Sequence, residues 1–514
     1  MSTGGFSEPR WLDMHLARRV AEFLPPSVLP GEGDAYFLPP YGELLLAMRK
    51  WQSHMLRVNL LRCAANSFGY RKKLAHDAQA GLLRALEETS LATSAQGELH
   101  PEAEAEALEA VILNALSSLP FTFPQELVDA PESFLAVSHG DVLGIISLLT
   151  SGTTGQGKRI FCTEADLRQT ADFFRHGMQF MIRPGREDSV ALMMSGGRPG
   201  SVGSLFIRAM RELGVPCLVP GFVPPSGKSE DAMVRHLIDS APTCLVGVPG
   251  QMVLLARHDR AHELARSVRS VLLSGDSVTP ETRKAIARGL GAEVFVHYGL
   301  TETGLGGAVE CPQHEGCHMR EADLIHEILD EQGRPVEKGE WGEIVITTLS
   351  REAMPLLRYR TGDEGRILPG PCACGSVFGR LEVGGRMSQR LGLPDGSILR
   401  ITDLDRVLYS LPCIQSYTPV VHGENSAMRL KLLLRVAEGV GDAALFEAEK
   451  AVSALPGLQL CLAGDEAARK GLLPVMLVLE RPRVVFGKHM QEVRTGQAKR
   501  CFVRADEQAA SDRR

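Results

Sequence analysis

From Val142 onward, short apolar runs of strand length alternate with amphipathic helical stretches, and this alternation limits the fold more than any other feature of the chain. Ser189 to Met194, Thr243 to Val248, Ser270 to Ser274 and Glu293 to His297 have the length and β-branched content of strands. Glu164 to Met178, Ser204 to Leu213, Asp231 to Ala241 and Thr279 to Gly289 repeat apolar residues at helical spacing. Strands that alternate with helices build a mainly parallel sheet covered on its faces. The expectation is therefore an α/β protein: a large N-terminal domain with mainly parallel sheets and helices, then a small mobile α+β C-terminal domain. Functional loops in such sheets sit at the carboxyl ends of the strands.

The flanking segments read differently. Between Tyr41 and Glu88, Leu44, Leu45, Met48, Trp51, Met55, Val58 and Leu61 recur at steps of three and four, and Glu102 to Leu119 repeats the pattern, so residues 1–135 read as a helical cover. After Gly339 the chain is strand-rich: Glu343 to Leu349, a loop through Asp363, then Gly365 to Leu368. Gly384 and Gly385 mark a pivot, which divides 136–385 from a small C-terminal domain at 386–514.

A chain of 514 residues exceeds any single small binding module. Lys and Arg number 56 against 62 Asp and Glu, a formal charge of -6 without the basic excess that nucleic-acid binding leaves. Val142 to Leu149 and Leu472 to Leu479, the longest uncharged apolar runs, fall short of the roughly 18 residues of a membrane helix. Met1 to Val20 lacks an apolar signal core, so the expected location is cytoplasmic, with no membrane partner. Eleven unevenly spaced cysteines suit reduced thiols or a metal site better than a disulfide framework.

The run Thr150-Ser151-Gly152-Thr153-Thr154-Gly155-Gln156-Gly157-Lys158 follows the apolar stretch that ends at Leu149. Hydroxyls, a lysine and glycines that let the backbone approach closely are what a polyphosphate requires. Gly152 to Lys158 also fits the start of the Walker pattern, but Arg159 leaves no hydroxyl for magnesium, which argues against a P-loop NTPase. A plain Gly/Ser/Thr turn is the alternative.

Two later motifs decide between them. Ser151 to Lys158, Tyr298-Gly299-Leu300-Thr301-Glu302 and Tyr359-Arg360-Thr361-Gly362-Asp363, in that order, resemble the adenylate-forming superfamily of acyl-CoA synthetases, luciferases and adenylation domains. Glu310 to Ile328, GEWGEIVITTL at 339 to 349, MPLLRYRTGD, and PCACG at 371 to 375 look most like its phenylacetate-CoA ligase branch. The resemblance spans roughly Leu119 to Arg386 and implies a carboxylic acid, in this branch an aryl acid, activated with ATP to an acyl-adenylate and passed to CoA, with AMP released.

By that resemblance, Ser151, Gly152, Thr153, Thr154, Gly155 and Lys158 hold the β- and γ-phosphates and Thr301 contacts phosphate. Glu302 binds Mg²⁺, a cation that takes oxygen ligands. Tyr298 lies against adenine, with Ser274, Gly275 and Asp276 at its edge, and Asp363 and Arg386 grip the ribose hydroxyls. Residues 136–385 then form the ATP- and acid-binding part and 386–514 the lid, while His297 could line the acid pocket. Where the family carries a catalytic lysine near its C-terminus, aligning Gly496 and Arg500 places Gln497, and Lys499 two residues later is the substitute. If Lys499 does not serve, the chain is an impaired homologue that binds nucleotide or regulates; a protein thiol as acceptor in place of CoA is a further alternative. No GxSxG elbow points to a serine hydrolase.

Cys311, His318, Cys372 and Cys374 are three thiols and an imidazole in turn-rich segments, a common tetrahedral set for structural Zn²⁺. Members of the phenylacetate-CoA ligase branch carry matching residues, which implies a zinc site. Cys317 and His314 compete as ligands on sequence alone, and two loops that never meet is the other reading. A homodimer is left open.

Overall fold

The computed structural model describes residues 11–25, 38–74, 83, 100–148, 158–182, 188–194, 201–224, 228–423, 428–437, 441–460, 473–479 and 502–504. Two compact units interleave along the chain: Met1–Phe180, Pro199–Ser201 and His297–Val383 form the first, and Met181–Arg198, Val202–Val296 and Gly384–Arg514 the second. The chain thus leaves the first unit at the glycine pair. Boundaries at 135/136 and 385/386 follow sequence order, whereas the units pool distant segments, so that residues after Gly384 share a unit with 202–296.

In the second unit, Cys217–Leu218, Val190–Met193, Cys244–Gly247 and Ser270–Ser274 lie side by side, all parallel. Every residue of Val190–Met193 and Cys244–Gly247 is buried, as strands covered on both faces require. The helix Pro280–Leu290 shows how sequence sets local bounds. Thr279 caps it by accepting from Thr282 N, Pro280 pre-sets the first turn, and Gly291 at φ 62° ends it. A mixed five-stranded sheet in the same unit orders Leu458–Leu460, Leu473–Leu479, Arg429–Val436, Ile414–His422 and Val503–Arg504. One apolar cluster joins Leu245, Val253, Leu273 and Ile286 to Leu404, Tyr417, Leu432 and Val475. Arg257 donates to the carbonyls of Tyr409 and Ile414, and Arg435 forks onto Glu230 at 2.7 and 3.0 Å.

The first unit is built on antiparallel pairing. Leu324–Leu329, Gly342–Thr348, Tyr359–Leu368, Arg380–Arg386, Cys317–Met319 and Ala308–Glu310 are neighbours in that order. Parallel pairing therefore describes Val190–Ser274, while the strands after Tyr298 reverse direction because their connections lack the helix a crossover needs. The helix Tyr41–Asn66 packs on Pro101–Ser117 and stops well before Glu88. Ser67 ends it, serving as cap of a separate turn, Phe68–Lys73, by accepting from Tyr70 N.

Asp363 lies inside a strand, Tyr359–Leu368, where a loop is expected from sequence. Its residues alternate between buried and half-buried, with Tyr359, Thr361, Asp363 and Gly365 on the inner side. The polar inner residues and Gly362 disguise the strand: Gly362 sits at φ 71°, and the register with Gly342–Thr348 shifts between Glu343 and Val345, the signature of a bulge. Among the described residues, no helix is long and apolar enough to cross a membrane.

Candidate functional site

Lys158 opens the strand Lys158–Cys162, directly opposite Leu148 in an antiparallel pair with Gly144–Leu148. Ser151, Gly152, Thr153, Thr154 and Gly155, expected to hold phosphate, lie outside the described residues. The lysine itself is buried. Its Nζ donates to Glu302 Oε1 at 2.7 Å and to the Tyr359 hydroxyl at 2.9 Å, while Tyr359 donates to the same Glu302 oxygen at 2.6 Å. These three side chains come from segments 144 and 57 residues apart. Burial alone would raise the Glu302 carboxyl, but the Lys158 cation and the two hydrogen bonds outweigh it and hold the group below its usual range.

The turn after Tyr298 is shaped around this cluster. A Cβ on Gly299 would approach Leu305 O to 2.2 Å, so no other residue fits there. Thr303 Oγ1 accepts from Leu300 N and donates to Leu300 O, which locks the turn carrying buried Thr301 and Glu302. Tyr298 donates its hydroxyl to Asp363 Oδ2 at 3.0 Å, bringing together the two residues expected at adenine and ribose. His297 is buried between the rings of Phe173 and Phe174, each 5.9 Å away, and burial lowers its imidazole to about 4. Ser274 ends its strand, Gly275 turns at φ 86° and Asp276 Oδ1 accepts from Ser277 N. These three and Arg386 belong to the second unit. Gln497 and Lys499 lie outside the described residues.

A second cluster in the first unit is made of Cys311, His318, Cys372 and Cys374, whose ligand atoms all lie within 4.8 Å of one another. Cys311 Sγ and Cys372 Sγ are 3.8 Å apart, and Cys374 Sγ is 3.2 Å from His318 Nε2. A metal about 2.3 Å from each sulfur at the tetrahedral angle sets sulfurs about 3.8 Å apart, so the spacing fits zinc. His318 Nδ1 meets Phe378 O at 3.0 Å, the outer bond that leaves Nε2 for a metal. A hydrogen bond from Cys311, opposed by burial and aided by His318, pulls the Cys374 thiol below its usual range, toward the thiolate form that binds metal. The competing residues separate: His314 pairs with Glu310, and Cys317 stands outside the group.

Tyr359 is the member that sequence reading passes over. Its signal is its place at the head of the motif ending in Asp363, where only Asp363 is assigned a part.

The model of the AMP-binding enzyme family matches residues 73–350. This chain belongs to that family. The matched stretch takes in Lys158, Tyr298, Thr301 and Glu302, whereas Asp363 lies beyond it and is bonded to Tyr298 within it. Among curated relatives, the phenylacetate-coenzyme A ligase of Thermus thermophilus is 29% identical over 335 residues, covering 63% of this chain and 73% of that enzyme. The phenylacetate-coenzyme A ligase of Pseudomonas putida is 31% identical over 269 residues, or 50% of this chain; the chain spans 58% of the length of that relative. The fold is that of a solved 2-hydroxyisobutyryl-CoA ligase in its postadenylation state, with a TM-score of 0.65 at 19% identity, covering 89% of this chain and 91% of that one.

Proposed function

We propose that this AMP-binding family member is an acid-thiol ligase. It converts a carboxylic acid, of aryl class, and ATP to an acyl-adenylate and pyrophosphate, then passes the acyl group to the thiol of CoA and releases AMP. The observation that carries the reading is the buried ion pair between Lys158 and Glu302, placed where the glycine-threonine run ends. A buried cation beside a buried carboxylate matches two demands of the first step: charge for the phosphates and an oxygen ligand for Mg²⁺, which neutralises phosphate charge when bound.

The chain's own groups divide the remaining work. Lys158 and the backbone of Ser151 to Gly155 bind β- and γ-phosphates, and Thr301 orients the phosphate nearest the acid. Tyr298 covers adenine and Asp363 accepts from the ribose. In-line placement of the carboxylate against the α-phosphorus is an orientation effect. Lys499 supplies the cation that bridges the two during adenylation. Zinc at Cys311, His318, Cys372 and Cys374 is structural, because four protein ligands leave no open position.

The test is pyrophosphate release from ATP over aryl and aliphatic acids, with and without CoA, for the native chain, Lys499→Ala and Gln497→Lys. Activity in the native chain that Lys499→Ala lowers about 10²-fold or more is expected, by analogy with the loss of one preorganised charge contact. A silent native chain that gains activity in Gln497→Lys would show a nucleotide-binding homologue whose adenylating lysine has been lost. Pyrophosphate release without CoA consumption would point to a protein thiol as acceptor.

A further inference from the structure

The Tyr359 hydroxyl is completely buried and touches both charged groups of the proposed phosphate site. It donates to Glu302 Oε1 at 2.6 Å and accepts from Lys158 Nζ at 2.9 Å, closing a triangle whose third side is the 2.7 Å ion pair. A phenol has one proton to give, so this one is committed to the carboxylate. The tyrosine is itself held from behind. Arg358, the preceding residue, sits at φ 44°, a left-handed backbone that non-glycine residues rarely adopt. Its guanidinium is fixed by Glu327 at 2.8 and 3.1 Å and by the carbonyls of Ser117 and Leu119 at 3.1 Å. The backbone of Tyr359 is further paired with Ile346 and bridged to Thr122.

We infer that Tyr359 is a positioning residue of the metal-nucleotide site, whose hydroxyl holds the Glu302 carboxylate in the orientation it needs toward the metal. Both bonds to Glu302 fall on Oε1, so the phenol and the lysine set the rotation of the carboxylate. When Mg²⁺ and ATP arrive, Lys158 has to turn from carboxylate to phosphate, and Tyr359 is then the neutral donor that keeps Glu302 in place without competing for the cation. This role rests on the proposed ATP-dependent reading of the site.

The experiment measures ATP affinity by calorimetry in excess Mg²⁺ and in EDTA for the native chain, Tyr359→Phe, Glu302→Gln, and the two changes combined. Loss of one hydrogen bond to a charged group should weaken Mg²⁺-dependent ATP binding by Tyr359→Phe about tenfold or more, with the EDTA affinity unchanged. In the Glu302→Gln background, Tyr359→Phe should add no further loss of Mg²⁺ dependence. Equal weakening with and without Mg²⁺, or no weakening, overturns the inference while leaving the functional reading intact. Failure of the native chain to bind ATP at all overturns both. If Tyr359→Phe alone does not fold, the double variant decides: folding rescued by Glu302→Gln shows that the hydroxyl acts on that carboxylate, and continued unfolding overturns the inference.

Discussion

The two units keep their interiors in different ways. In the first, charged side chains are buried in pairs: Arg358 with Glu327, Arg49 with Glu321, Arg320 with Asp323 and Lys158 with Glu302. In the second, the interior is the continuous apolar cluster running from Leu245 through Leu432 to Val475. A buried ion pair is weak evidence for stability, since desolvation can exceed the attraction, but breaking one strands a charge. The first unit therefore adds directional polar contacts to an apolar interior that includes Leu16, Leu44, Met48, Leu60 and Ile112. The second is stabilised in the ordinary way, by apolar area removed from water.

The largest effect should come from the cysteine cluster. Cys372→Ser is expected to drop bound zinc from one per chain to near none, with loss of a binding free energy on the order of 10 kcal/mol, read by metal analysis and by the melting temperature with and without a chelator. Zinc content near zero in the native chain would remove the metal from the first unit's set of directional contacts.

Next comes the pair of Glu327 and Arg358. Burial leaves the Glu327 carboxyl above its usual range in spite of Arg358, which marks a pair whose desolvation is incompletely offset. Glu327→Leu alone should cost about 3–5 kcal/mol in urea unfolding, and the double change with Arg358→Met should recover most of it. In the second unit, Leu432→Ala should cost about 2–5 kcal/mol, and no change of a charged partner should rescue it. Equal behaviour of the two sites would erase the contrast between the interiors.

An effect spread over a pH range concerns His326, buried in the first unit, with its imidazole lowered to about 4 by burial. Neither ring nitrogen has a hydrogen-bond partner among the described residues. Its folded value lies below the unfolded value of about 6.5, so the unfolded chain takes up the proton first. Stability is whole above pH about 6.5 and is lost as pH falls toward about 4, by up to about 1.4 kcal/mol per pH unit. His326→Leu should flatten that slope in urea titrations between those limits. An unchanged slope would assign the acid sensitivity elsewhere.

Much of this molecule was readable along the chain. The helix Glu164–Met178 has the bounds its periodicity predicts, because Thr163 and Asp166 form a capping box at its start. The strand at Ser270–Ser274 is an uninterrupted apolar run and is found where expected. Asp363 was legible as a candidate residue and misleading as structure, since a strand with polar inner positions and a bulging glycine has the composition of a loop. The cysteine cluster was legible as a set of candidates only.

Sequence by itself determined the α/β alternation, the family and the residue types of the site, because each is written in local periodicity or in short contiguous motifs. Tertiary structure decided which of seven thiols and imidazoles between residues 311 and 374 meet, that Lys158 and Tyr359 converge on one oxygen of Glu302, and that residues after Gly384 share an apolar cluster with strands more than a hundred residues earlier. The reason is physical: those contacts join segments distant in sequence, and their geometry is set by strand pairing and burial, which no local pattern encodes.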